Sequence, residues 1–142
     1  VTALREREKR LGYTDIALYQ RFTEKVMATK RDILAFMIDA KRQGKQIVGY
    51  GAPAKGNTLL NYCGIRTDMV NYTVDRSPHK QGHYLPGTRI PIHAPEKIAE
   101  TRPDYVVILP WNLKDEIVKQ MAHVREWGGK FVVFIPDVQI LS

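Results

Sequence analysis

The chain has 142 residues, 44% of them hydrophobic, and a formal net charge of +7. That length suits one soluble domain, and no apolar run approaches the ~20 residues that a membrane span needs. The charged N-terminus has no signal-peptide core, so a cytoplasmic location with no membrane partner is expected. The single cysteine, Cys63, rules out an intrachain disulfide and a cysteine-rich zinc site. It follows Tyr62 near the end of a short helical pattern, where a buried, inert thiol is expected rather than a nucleophile.

The basic excess points to an anionic partner without saying which. Much of it lies in the first 45 residues, where Arg5, Arg7, Lys9 and Arg10 alternate with Glu6 and Glu8. Such mixing describes a solvated helix face, and no basic run interleaved with exposed aromatics occurs, so no nucleic-acid partner is expected. The chain begins at Val1 inside this pattern, as a piece of a longer protein would. Apolar side chains at Ile16, Tyr19, Phe22, Val26, Ile33, Leu34, Phe36, Met37 and Ile38 predict a helix over 13–43. Thr14 or Asp15 could cap its start and Gly44 stops it. Residues 1–44 therefore read as a helical segment that packs on the following domain, 45–142.

Within that domain, 46–50 reads as a strand, 55–62 as a helix ended by Gly64, and 70–74 as a second strand. A loop containing Pro78, Gly82, Pro86 and Gly87 leads to a short extended stretch at 89–92. A helix over 95–100 has proline at its first position. The nearly all-apolar run 105–109 suits a strand covered on both faces. A helix over 113–127 is stopped by Gly128-Gly129, and 131–135 is another buried strand. The alternation predicts an α/β, Rossmann-like fold: a mostly parallel sheet with helices on both faces, preceded by a long N-terminal helix. Ligands of such sheets bind beyond the carboxyl ends of the strands, which gathers residues 51–57, Asp75 and 110–112 in one place.

Residues 47–57 read Ile-Val-Gly-Tyr-Gly-Ala-Pro-Ala-Lys-Gly-Asn, the layout of a strand, a glycine turn and a helix N-terminus. Gly49, Gly51 and Ala54 match the G-x-G-x-x-[G/A] pattern, in which glycines let the backbone approach a pyrophosphate. Free N–H groups and the positive helix end favour a phosphate there, and Lys55 adds a mobile cation. A P-loop is excluded, because Lys55 is followed by Gly56 and Asn57 rather than by a hydroxyl residue. The candidate phosphate-loop residues are Tyr50, Gly51, Ala52, Ala54, Lys55, Gly56 and Asn57. The competing explanation is a turn whose glycines serve only helix–strand packing.

Asp75 lies 24 positions after Gly51. It either holds ribose hydroxyls, as an acid near this place does in nicotinamide-binding domains, or caps the turn Arg76-Ser77-Pro78. The following His79-Lys80-Gln81-Gly82-His83-Tyr84 is rich in donors, with Lys80 and Tyr84 as substrate-binding candidates. Its two histidines have no third ligand at a metal-like spacing, so no metal is expected. Trp111 offers a stacking face at a strand–helix junction. Asn112 offers a donor and an acceptor, and is well placed to N-cap a helix beginning at Leu113. Glu116 reads as structural. Neither a nucleophilic triad nor an acid/base pair can be assigned from spacing, so no catalytic residue is expected in this chain.

The glycine run has companions in order: Val74-Asp75, Lys80-Gln81-Gly82, Leu85-Pro86-Gly87-Thr88, Ile90-Pro91-Ile92, Pro110-Trp111-Asn112, Asp115-Glu116-Ile117 and Trp127-Gly128-Gly129-Lys130. Together they resemble the C-terminal domain of the S-adenosylmethionine-dependent sugar C-methyltransferases, which methylate a carbon of a nucleotide-linked keto-deoxysugar. The resemblance implies a zinc-binding segment and a methyltransferase domain ahead of this one, with residues 1–44 as the link. It implies that S-adenosylmethionine is bound by that preceding domain of the full-length protein and no cofactor by this stretch. The base that removes the proton beside the keto group would also come from the preceding domain. This domain would hold the nucleotide-sugar and close the site, and alone it would transfer no methyl group. The alternatives are a NAD(P)-binding domain of an oxidoreductase or a nucleotide-sensing regulatory module.

Overall fold

The first helix begins well before the apolar pattern does. In the computed structural model, which describes the backbone of residues 2–141 and the side chains of 16, 17, 20, 21 and 23–141, α1 covers Thr2–Arg42. Thr14 and Asp15 therefore lie within it rather than at its start. The charged alternation from Arg5 to Arg10 and the apolar positions Tyr19 and Phe22 lie outside the described side chains. Further along, Ile33, Met37 and Ala40 form the buried face at helical spacing. Gly44, at φ +76°, turns the chain into the sheet.

The remaining elements alternate as the sequence predicts. They are β1 (Ile47–Tyr50), α2 (Ala54–Cys63), β2 (Thr73–Val74), β3 (Ile92–His93), α3 (Glu96–Thr101), β4 (Tyr105–Ile108), α4 (Lys114–Gln120), β5 (Lys130–Val133) and β6 (Gln139–Leu141). The strands form one sheet in the order β3-β2-β1-β4-β5-β6. All neighbours are parallel except β5 and β6. The chain thus builds outward from β1 to β3, then returns to lay β4 on the other side of β1. That reversal opens a crevice beyond the carboxyl ends of β1 and β4. The fold is Rossmann-like, and among the described residues no helix is long and apolar enough to cross a membrane.

Side-chain alternation along the central strands divides the core in two. Ile47, Val107, Leu109, Val132 and Phe134 face one layer with Ile33 and Met37 of α1 and Leu60 and Cys63 of α2. Val48, Tyr50, Val106, Ile108, Phe131 and Val133 face the other, with Ile98 of α3 and Ile117 of α4. Period-two alternation with both faces apolar is what a parallel strand between two helical layers requires.

Three expected elements differ, and one strand was not expected. The extended stretch 89–92 enters the parallel ladder only at Ile92, and Arg89 has φ +58°. The predicted second strand, 70–74, keeps ladder pairing only at Thr73 and Val74, although Val70 and Tyr72 are buried. The expected helix 113–127 is broken into a 3-10 turn (Trp111–Leu113), α4, and a 3-10 stretch (Ala122–Trp127). With three residues per turn, positions 121, 124 and 127 align. Met121 and Val124 are buried, and the Trp127 indole N–H donates to Pro103 O at 2.9 Å. Finally, β6 adds an antiparallel edge strand that the sequence pattern did not predict.

Candidate functional site

The turn after β1 is shaped by close packing against β2 and β4. Gly51 has φ +94°, and a Cβ there would lie 2.6 Å from Pro110 Cδ. A Cβ on Gly56 would lie 2.9 Å from Leu109 Cβ, and one on Gly49 2.8 Å from Thr73 Oγ1. Glycine at all three positions is therefore explained by packing, with or without a ligand. The turn opens α2, whose N-cap is Pro53 with no side-chain cap. The first intrahelical bond comes from Asn57 N to Pro53 O at 3.0 Å. The N–H groups of Ala54, Lys55 and Gly56 are the first-turn donors that a helix cannot satisfy internally.

Asp75 ties this turn to the loop after β2. Its Oδ2 accepts from Ala52 N at 3.0 Å and its Oδ1 from Ser77 N at 2.9 Å. The carboxylate thus performs the turn-capping role and also fixes the glycine turn. Lys80 Nζ donates to Ala52 O at 3.2 Å, and Gln81 Nε2 donates to Asp75 O at 2.8 Å. Thr73 Oγ1 donates to Gly51 O at 2.7 Å inside the core. One loop holds the other, which places Asp75, Lys80 and the turn in a single cluster.

Across the crevice, Lys55 lies with its ammonium 4.7 Å from the centre of the Trp111 ring and donates to Asn112 Oδ1. The structure corrects one sequence expectation here. Asn112 does not cap α4, which has Leu113 at its N-cap and no side-chain cap bond; the Lys55 ammonium takes the side-chain oxygen instead. One face of the Trp111 ring carries the same ammonium, a cation–π contact.

A cavity of about 280 Å³ lies between these loops, lined by Gly51, Ala52, Asp75, Lys80, Pro110 and Glu116 among others. A second, of about 540 Å³, adjoins it through Tyr50, Arg76 and Gln120. Arg76 and Gln120 were missed as site residues, because polar side chains on a loop and a helix exterior carry no pattern; Gln81 was visible only as one donor of the loop 79–84. Tyr84 stands apart, 65% exposed and lining neither cavity. Ala54 and Gly56 enter the site through their backbone, and the Asn57 side chain is turned along α2, bonded to Asn61 at 3.3 Å. Burial pushes the Tyr50 hydroxyl up from the ordinary tyrosine range, against Arg76, which draws it down. Burial likewise raises the Cys63 thiol, as expected of an inert cysteine. Among the described residues no group of three or more His, Cys, Asp or Glu side chains could hold a metal ion.

Asp75, the acid at the end of β2, accepts one backbone N–H at each oxygen, from Ala52 and Ser77. The donors and ammonium groups at the turn suit an anion rather than a sulfonium.

A family model for the C-methyltransferase C-terminal domain matches residues 1–136. The C-methyltransferase NovU of Streptomyces niveus is 37% identical over 138 residues, 95% of this chain and 32% of that protein. The chain therefore spans 32% of the length of that curated relative. Among solved structures, UDP-D-quinovosamine 4-dehydrogenase from Vibrio fischeri superposes with a TM-score of 0.48 and 18% identity, over 69% of this chain and 93% of that one. The strand order, rather than this likeness, fixes the fold.

Proposed function

We propose that this chain, which belongs to the C-methyltransferase C-terminal domain family, is the substrate-holding domain of an S-adenosylmethionine-dependent C-methyltransferase that acts on a nucleotide-linked keto-deoxysugar. The observation that carries the reading is the pairing of two ammonium groups, Lys55 and Lys80, with the uncapped first turn of α2. A diphosphate there would accept from the N–H groups of Ala54, Lys55 and Gly56, and Lys55 would leave Asn112 to meet it. Tyr50, Gly51, Ala52, Asp75 and Lys80 would form the wall of the cleft, Trp111 and Asn112 the rest position of Lys55, and Asn57 the end of the helical turn. Tyr84 would reach the substrate from the rim only when a preceding methyltransferase domain closes over the cleft.

The methyl donor and the base that removes the proton beside the keto group belong, in this reading, to that preceding domain, with residues 1–44 as its link to the sheet. In the nicotinamide alternative Asp75 would take ribose hydroxyls on the lone pairs left beside its bonds from Ala52 N and Ser77 N. Titration of wild type and Lys55→Ala with a thymidine-diphosphate sugar tests the site. Loss of a charged hydrogen bond should weaken binding by about 1–3 kcal/mol. Equal affinities would remove Lys55 from the diphosphate site.

A further inference from the structure

Lys55 and Lys80 flank the glycine turn, and they are held in different ways. Lys80 donates to Ala52 O, a carbonyl of the turn itself. Lys55 is held from across the crevice, by the Asn112 side-chain oxygen and the face of the Trp111 ring. Neither of those partners carries a charge. Among the described residues Lys55 forms no ion pair, although Asp115 and Glu116 stand in the first turn of α4. We propose that Asn112 is a positioning residue that acts on the substrate through Lys55: it holds the ammonium in reserve on Trp111 and so sets the affinity of the turn for a diphosphate. This deepens the nucleotide-sugar reading above and rests on it.

The neutrality of the partners is what makes the ammonium available. A carboxylate would neutralise it, and a diphosphate would have to break a charge-assisted bond between two ions to recruit it. An amide oxygen and an aromatic face hold the same ammonium more weakly and leave its charge in the crevice. A diphosphate at the first-turn N–H groups offers several anionic oxygens, each a stronger acceptor than the amide. Lys55 therefore exchanges one acceptor for a better one. The bonds broken at the rest position oppose binding, so loosening that position should strengthen it. Asn112 is exposed on the 3-10 turn after β4, and among the described residues its side chain is bonded only to Lys55. Removing its amide therefore spares the fold. A residue that touched the diphosphate itself would behave in the opposite sense, because its loss would weaken binding.

The test is calorimetric titration with thymidine diphosphate of wild type, Asn112→Leu, Lys55→Ala and the double variant. Asn112→Leu should bind about threefold to tenfold more tightly than wild type, the size of one net hydrogen bond. In the Lys55→Ala background the same substitution should change nothing, because the two residues act as one unit. Tryptophan emission gives a second readout. It should change in wild type at saturating thymidine diphosphate, as the ammonium leaves Trp111, and stay constant in Lys55→Ala. The other tryptophan, Trp127, is bonded to Pro103 ahead of β4, at the opposite end of the sheet, and adds no signal. Weaker or unchanged binding by Asn112→Leu, an equal gain in both backgrounds, or an emission change that persists in Lys55→Ala overturns the positioning role. Those results leave the diphosphate reading standing where Lys55→Ala still binds more weakly than wild type. Binding of thymidine diphosphate to none of the four proteins overturns both.

Discussion

Gly51 leaves no room for a methyl group. At φ +94° with Pro110 Cδ 2.6 Å from where a Cβ would stand, Gly51→Ala must move the turn or the strand end. A cost of about 1–3 kcal/mol is expected, read as a lower midpoint of chemical denaturation. An unchanged midpoint would show that the two segments separate without penalty. Tyr72 makes a different residue-scale prediction. Its hydroxyl is bonded to Thr101 Oγ1 and lies 3.2 Å from Lys97 O, and burial raises its pKa above the ordinary tyrosine value, against the lowering effect of the Thr101 bond. An unfolded tyrosine gives up its proton first. The stability this group provides is therefore complete below about pH 10 and is lost as pH rises through the folded-state value. Tyr72→Phe should be less stable than wild type at pH 7, yet lose less additional stability between pH 9 and 11. Urea midpoints across that range would show it, and parallel losses in the two proteins would contradict it.

At the scale of elements, what the sequence made legible is what carries a period. The apolar runs of β4 and β5 and the glycine-ended helix α2 appear where periodicity and Gly64 place them. The elements that were not legible are those decided by tertiary contacts. No glycine or proline breaks the pattern after Gln120; the change from α4 to a 3-10 stretch is set by Met121, Val124 and Trp127 all reaching the same layer. Strand β6 has three residues, starts at a polar glutamine, and is held by pairing with β5, so its own composition carries no signal. The same holds within the site. The glycine turn and Asp75 were visible from their order in the chain. That Asp75 accepts from Ala52 N, and that Lys55 lies over Trp111, depend on two loops meeting beyond the sheet edge. Arg76 and Gln120 had no pattern to mark them, and Gln81 was marked only as one donor of the loop 79–84.

At the scale of the molecule, the strand order concentrates the chemistry at one end of the sheet. The return from β3 to β4 separates the loops after β1 and β4, and the loop after β2 closes one side of the gap. α1 and α2 cover one face and α3 and α4 the other, so the cleft is positioned by a two-layered core rather than by loops alone. Such a scaffold presents first-turn amides, two ammonium groups and an adjoining cavity; under the proposed function the methyl donor is left to another domain. The measurement that tests this most directly is calorimetric titration of residues 1–142 with S-adenosylmethionine and, separately, with a thymidine-diphosphate sugar. The account predicts saturable binding of the sugar nucleotide, weakened by Lys55→Ala, and no measurable binding of S-adenosylmethionine. Tight binding of S-adenosylmethionine, or methyl transfer by this chain alone, would contradict it.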